Sequence, residues 1–255
     1  MAENGTGEGN RELSGKVAIV TGAGRNIGRA IALQLGQGGA AVVVNARGNR
    51  AEAEAVAREI KAGGGRAMPF IADVTDAEAV GRMAAEAAQQ FGGIDILVNN
   101  AAVRREAAIE ALDFAEWRAI TGIVLDGAFH CVKACLPHLK GSGAGAIVNI
   151  GGLTGHIGAK GRAHVVTAKA GLSGMTKALA HDLAGDNVTV NCVSPGLIET
   201  RRPDQHPQHR LVNRTLVGHA GAPDDIAAAV RFLCGPQARY ITGQTIHVNG
   251  GAYLA

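Results

Sequence analysis

The sequence predicts an α/β fold: one parallel sheet, doubly wound, with helices on both faces. Three observations carry this. Short uncharged runs rich in Val and Ile alternate with longer amphipathic stretches from residue 17 to residue 251, the pattern of buried parallel strands and their covering helices. The first run passes directly into a turn spaced by Gly22, Gly24 and Gly28, a strand-to-helix junction that suits a ligand at the sheet's carboxyl edge. No internal repeat or low-complexity linker interrupts the remainder, so residues 14–255 read as a single domain and residues 1–13 as a flexible, polar N-terminal tail.

Composition narrows the class. The chain has 255 residues, of which 47% are hydrophobic and 18% charged, enough for one sizeable core. A net charge of +3 is too small to argue for nucleic acid. No uncharged apolar run approaches the roughly 18 residues of a membrane helix, so no membrane partner is expected. The N-terminus lacks the apolar core of a signal peptide. Cys131, Cys135, Cys192 and Cys234 have no metal-site spacing and read as small buried hydrophobes in a reducing, cytoplasmic setting.

Taken in order, residues 17–21 (VAIVT) form the first strand and residues 40–45 (AAVVVN) the second. Between them a helix follows the glycine turn, with Ile27, Ile31 and Leu35 on its apolar face. Glycines there let backbone N–H groups and a helix N-terminus face a pyrophosphate. An acidic residue after the second strand would bind the 2′-hydroxyl of NAD. Ala46 and Arg47 stand there instead, and Arg25 lies in the glycine turn. Two guanidinium groups suit a 2′-phosphate, which favours NADP with NAD possible. Residues 51–61 repeat the helix signature, 67–72 form a third strand ended by Asp73 and Val74, 77–91 a helix, and 94–99 a fourth strand running into Asn99-Asn100-Ala101-Ala102. Residues 114–139 read as a long helix or two joined pieces, and 147–150 as a strand. A Gly-rich loop over 151–161 then leads to an Ala-rich helix carrying Lys169. Residues 188–193 form a sixth strand entering Ser194-Pro195-Gly196-Leu197-Ile198-Glu199-Thr200. A polar segment over 201–218, with His206 and His209, reads as a mobile lid rather than a metal site. A helix over 224–233 and a last strand with a turn over 241–251 end the chain.

These motifs, in this order over nearly the whole chain, resemble the short-chain dehydrogenase/reductase (SDR) superfamily, and the ending ITGQTIHVNGG is most similar to its bacterial 3-oxoacyl-(acyl carrier protein) reductases. The resemblance implies a Rossmann-like fold and carbonyl/alcohol oxidoreduction on a small molecule. It also implies assembly as a homo-oligomer, a tetramer, through segments 114–139, 163–183 and 241–255. It places the cofactor on Gly22, Gly24, Arg25, Asn26, Ile27, Gly28, Arg47, Asp73, Val74, Asn100, Ala101, Lys169, Pro195, Gly196, Ile198 and Thr200. Asn26 replaces the middle glycine of the family's T-G-x-x-x-G-x-G, and Asn tolerates left-handed backbone better than other non-Gly residues.

The resemblance also shows what differs. The family's Ser falls on Gly152, its Tyr on Val165 and its Asn on Val124, while its Lys remains as Lys169. Tyr and Ser meet the developing alkoxide in that chemistry. Thr154 and His156, two and four residues beyond Gly152, are nearby substitutes, with His164 a weaker one. Two readings follow: an NADP-dependent oxidoreductase with a non-standard catalytic set of Lys169, Thr154 and His156, or a nucleotide-binding member without ordinary carbonyl reduction, such as a lyase or a regulatory subunit.

Overall fold

The computed structural model describes residues 11–200 and 215–255. Strands β1 (Val17–Val20), β2 (Ala41–Ala46), β4 (Ile96–Asn99), β5 (Ala146–Ile150) and β6 (Thr189–Pro195) are buried along their full length. Partly exposed β3 (Arg66–Ile71) and β7 (Thr245–Val248) close the two edges. The order is β3-β2-β1-β4-β5-β6-β7 and every neighbouring pair is parallel. The order reverses between β1 and β4, so their carboxyl ends open the crevice where such sheets bind ligands.

Period-two alternation sorts the strand residues between two cores. Ala18, Val20, Val42 and Val44 face one side, against α1 (Asn26–Gln37), α2 (Arg50–Ala62) and α8 (Pro223–Cys234), through Ile31, Leu35, Val56, Ile60 and Val230. Ile19, Val43 and Leu97 face the other, against α3 (Ala77–Phe91), α5 (Gly127–Gly141) and α7 (Ala163–Leu183), through Met83, Cys131, Leu139 and Leu183. Both faces of the strands are therefore covered, which is why they read as unbroken apolar runs. Cys131, Cys135, Cys192 and Cys234 are buried free thiols, and burial pushes Cys131 up to about 12.

Several boundaries differ from the sequence reading. Leu13 is 1% exposed and its N–H donates to the Gly38 carbonyl at 2.8 Å, while Glu12 accepts from Arg231 Nε at 2.6 Å. Residues 11–13 are therefore anchored to the domain rather than part of a free tail. α4 (Phe114–Thr121) continues through a π-helical turn, Gly122–Asp126, into α5. Mean hydropathy over this Phe114–Gly141 helix reaches 1.5, enough by length and composition for a membrane span, and half of that window is buried inside the fold. Isolated charges break its apolar runs in the sequence, and packing against the sheet and α3 accounts for its buried side. The 151–161 loop contains a helical turn, α6 (Thr154–Ile157), and the last strand is confined to β7.

Candidate active site

The glycine turn is shaped by contacts that leave no room for side chains. A Cβ on Gly28 would lie 2.3 Å from the Gly22 carbonyl oxygen and 2.5 Å from Asn100 Nδ2. Gly22 has φ 61°, and Asn26 has φ 50°, so Asn supplies the left-handed backbone where the family has glycine. Asn100 donates from Nδ2 to the Thr21 carbonyl at 2.8 Å and the Gly22 carbonyl at 3.1 Å, tying β4 to the turn. Asn45 Oδ1 accepts from the Gly22 N–H at 3.3 Å, tying β2 to it. Side chains of Asn49, Asp76 and Asp113 cap α2, α3 and α4, whereas α1 starts at Arg25 with no side-chain cap. Its first turn, Asn26 to Gly28, lines the cleft, and a helix N-terminus suits an anion. This backbone cradle fits the pyrophosphate of a nicotinamide dinucleotide.

A cleft of about 530 Å³ runs from the cradle along the strand ends. Its walls include Gly22, Gly24, Arg25, Asn26, Ile27 and Gly28 of the turn, Ala46 at the end of β2 with Arg47 after it, and Asp73 and Val74 after β3. Asn100 and Ala101 follow from β4, then Lys169 from α7, Pro195 at the end of β6, and Ile198 and Thr200 after it. Thr75 holds Asp73 in place, its hydroxyl and N–H both donating to Oδ1 at 2.8 and 3.0 Å. Gly196 does not line the cleft: a Cβ there would meet Asn249 at 2.6 Å, so its role is close packing on the β7 turn. Glu52, not foreseen, does line it, 3.3 Å from where a Cβ on Gly24 would stand. Arg25 and Arg47 therefore share the cleft with the Glu52 carboxylate as well as that of Asp73. The polar segment with His206 and His209 lies mainly outside the described residues. Among those described, no group of three or more His, Cys, Asp or Glu could hold a metal.

At the other end, Lys169 is 6% exposed and donates from Nζ to the Ile150 carbonyl at 2.6 Å. Burial, with the Arg104 guanidinium adding to it, holds its ammonium down at about 8. Gly152 leaves space beside it, since a Cβ there would find only Lys169 Cγ, at 3.9 Å. Val165 and Val124 are 5% and 3% exposed, and Val124 sits within the π turn, packed with Ala128, Ala168 and Leu172. Neither valine lines the cleft.

Thr154 and His156 do not line it either. The α6 turn carries His156 onto the C-terminal segment, with ring centroids 4.6 Å from His247 and 5.7 Å from Tyr253. Burial and then Lys177 lower its pKa, which disfavours the protonated form an acid needs. His164 is enclosed where α7 meets α4, its Nε2 3.8 Å from Glu116 Oε1. Sequence proximity to Gly152 suggested these residues. The cleft is lined instead by Val103, Arg104, Glu106 and Arg162, and Arg104 is close enough to act on the charge of Lys169. Arg162 begins the turn into α7 and Arg104 follows the Asn-Asn-Ala-Ala run, a position that was the available clue.

Residues 22–253 match the family described as Enoyl-(Acyl carrier protein) reductase. The chain is 41% identical over 242 residues to a 3-oxoacyl-(acyl-carrier-protein) reductase FabG of Staphylococcus aureus, covering 94% of this chain and 98% of the relative. The chain belongs to the short-chain dehydrogenase/reductase family. Another relative in the SDR family, a 3-oxoacyl-(acyl-carrier-protein) reductase of Synechocystis, is 39% identical over 95% of this chain and 98% of its own length. A solved dehydrogenase/reductase from Sinorhizobium meliloti superposes with a TM-score of 0.91 at 36% identity, covering 96% of this chain and 98% of that one. A Serratia marcescens short-chain dehydrogenase/reductase variant gives 0.88 at 35% identity, with 94% and 99% covered. The SDR fold and a nicotinamide cofactor follow for this oxidoreductase family member.

Proposed function

We propose that this chain is an NADP-dependent oxidoreductase that reduces a carbonyl to an alcohol, or the reverse, with Lys169 supplying the proton that the family takes from tyrosine. The observation that carries this is Lys169 itself: a buried ammonium in the cleft, held down at about 8. A group with a pKa near working pH is suited to give and regain a proton. A reduced nicotinamide bound in the cleft supplies hydride to the carbonyl carbon. Lys169 holds its protons at Nζ, excluded from water, and gives one to the oxygen as charge develops there. Gly152 and Val165 offer that oxygen no side-chain donor. The curated relatives' names make 3-oxoacyl thioesters the first substrates to try. The three changed positions, Gly152, Val165 and Val124, favour a second reading, a nucleotide-binding member with non-redox chemistry such as a lyase or a regulatory subunit.

The NADP preference rests on Arg25 and Arg47 in the cleft wall, with Ala46, not a carboxylate, ending β2. Charge-assisted contacts are worth about 1.5–3 kcal/mol each, so NADPH is expected to bind at least about tenfold tighter than NADH. Arg47→Asp should flatten or reverse this, and Glu52→Gln should strengthen NADPH alone. Equal affinities in a fluorescence titration of the wild type would remove the NADP assignment.

Exposed Phe114 (76%) and Phe129 (54%) on the α4–α5 helix, and Leu254 (76%) at the C-terminus, support assembly as a homotetramer through these segments. Light scattering at micromolar concentration should return a multiple of the 26.0 kDa chain mass, and a monomer would exclude it. Four buried free thiols support a reducing, cytoplasmic setting.

A further inference from the structure

Three aromatic rings from three parts of the chain meet outside the cleft. His156 comes from α6, His247 from β7, and Tyr253 from the turn that follows β7. The two imidazole centroids are 4.6 Å apart, and Tyr253 lies 5.7 Å from His156 and 4.9 Å from His247. His156 Nε2 and His247 Nδ1 are shut off from solvent and have no hydrogen-bond partner. An imidazolium donates from both ring nitrogens, so charging either ring here leaves a buried donor without an acceptor. The neighbouring groups do not offset that charge. β6 brings Ser194, the register partner of His247. The Lys177 ammonium of α7 acts on His156, and His156 acts on His247. Burial first, and these like charges second, lower the pKa of both histidines. Among the described residues the histidine that sits by a carboxylate is His164, beside Glu116, and not these two.

Both backbones that carry the cluster also brace the cleft. Just ahead of α6, the Leu153 N–H donates to the Pro195 carbonyl at 2.9 Å. Gly155 packs so closely on α7 that a Cβ there would lie 3.1 Å from Lys169 Cβ. On the other side, the Tyr253 carbonyl accepts from Asn249 Nδ2 at 3.0 Å. Asn249 in turn backs Gly196, which lies between the cleft residues Pro195 and Ile198. The Gly250 carbonyl accepts from the N–H groups of Leu216 and Val217 at 2.7 and 3.2 Å. A few residues on, Gly221 donates to the Leu197 carbonyl and accepts from the Glu199 N–H, both at 2.9 Å. The turn that Tyr253 anchors therefore supports residues 196–199 along two routes.

We propose that this ring cluster is an acid-sensitive latch on the cleft: protonation of His156 or His247 releases the Tyr253 turn, loosens the wall from Pro195 to Thr200, and so weakens nucleotide binding. Both rings are easier to charge once the turn has opened, so protons favour the open form. The latch holds above the ordinary histidine range, about pH 6.5. It is lost as pH falls through the lowered values of the closed form. Each unit by which a closed-form value is depressed raises the open population about tenfold once the open form is fully protonated. The effect on nucleotide rests on the cofactor reading above; the release of the turn does not.

The test is amide hydrogen exchange on the full chain, read by mass spectrometry from about pH 7.5 to about pH 5.5, the range in which imidazoles titrate. Rates are corrected for intrinsic exchange, and peptides from α1 serve as an internal reference. Peptides covering residues 249–255 are expected to lose protection about tenfold at the acid end, while α1 keeps its own. NADP⁺ affinity, measured by calorimetry at each pH, should fall in step. The nucleotide's 2′-phosphate also takes up a proton near pH 6, so each affinity is compared with that of His156→Phe at the same pH. That variant keeps a ring and cannot charge, so its turn should stay protected and its affinity should fall less than the wild type's. His247→Phe should behave alike. Lys177→Gln, an exposed change that relieves repulsion in the closed form, should lessen the acid opening and needs no repacking of the cluster. A wild-type turn that stays protected at about pH 5.5, or one that opens equally in both Phe variants and in Lys177→Gln, would overturn the latch. Opening with no loss of NADP⁺ affinity relative to His156→Phe would overturn its link to the cleft. Absence of NADP⁺ binding at about pH 7.5 would count against the cofactor reading instead, and the exchange data would still decide whether the turn is released by acid.

Discussion

Gly152→Ser combined with Val165→Tyr is expected to raise NADPH-dependent reduction of a 3-oxoacyl thioester about 10²–10⁴-fold over a very weak wild-type rate, the usual contribution of a positioned general acid. A hydroxyl aimed at the oxyanion adds to this, though not additively, because such groups act as a unit. The structure has room for the first change: a Cβ on Gly152 makes only an ordinary contact, 3.9 Å from Lys169 Cγ. The second is tighter, since Val165 is 5% exposed. It lies one helical turn before Lys169, so a tyrosine there projects from the same face. NADPH binding by the double variant controls for folding, and the Gly152→Ser single variant separates the two steps. Brisk wild-type turnover of the thioester, not improved in a folded double variant, would mean that Lys169 alone suffices for this substrate and that Val165 is no deficit.

The parts of this molecule that depend on local rules were legible in the sequence. Strand and helix order follows from periodicity, and the seven-stranded sheet with both faces covered is the one expected. The cradle was legible because glycine spacing is a backbone property: Gly28 has no space for a Cβ, and Asn26 takes the left-handed conformation its type tolerates. What failed was inference by proximity along the chain. Thr154 and His156 are near Gly152 in sequence, but the α6 turn carries His156 away to His247 and Tyr253. Gly196 was read through its motif, whereas close packing on Asn249 explains it. Arg162 and Glu106 pair across 56 positions, and no periodicity reports a meeting of two loops. Glu52 belongs to a helix's first turn, where an acidic residue is expected for capping reasons alone.

Lys169→Met is expected to lower kcat/KM for the native carbonyl substrate by about 10²–10⁴-fold, with a smaller loss in NADPH affinity. Methionine keeps the unbranched shape, and removing a buried charge does not burden the fold. Structural collapse is therefore not the expected cause. The pH dependence identifies the role. Burial first, and Arg104 second, hold Lys169 down at about 8. Reduction needs the protonated form, so its rate should be level below about pH 8 and fall above it. Oxidation of the alcohol needs the neutral amine and should rise through the same range. A lysine that merely anchors the nucleotide would shift the KM for NADPH and leave no such inflection in the chemical step.

The most direct measurement follows deuterium from labelled NADPH into the substrate carbon in a single turnover, across pH, for wild type and Lys169→Met. The account predicts labelled alcohol from the wild type, at a rate falling about tenfold per pH unit above about 8, and a slow, pH-independent rate from the variant. NADPH bound to the wild type with no label passed to any oxo acid, ester or thioester at any pH would contradict it.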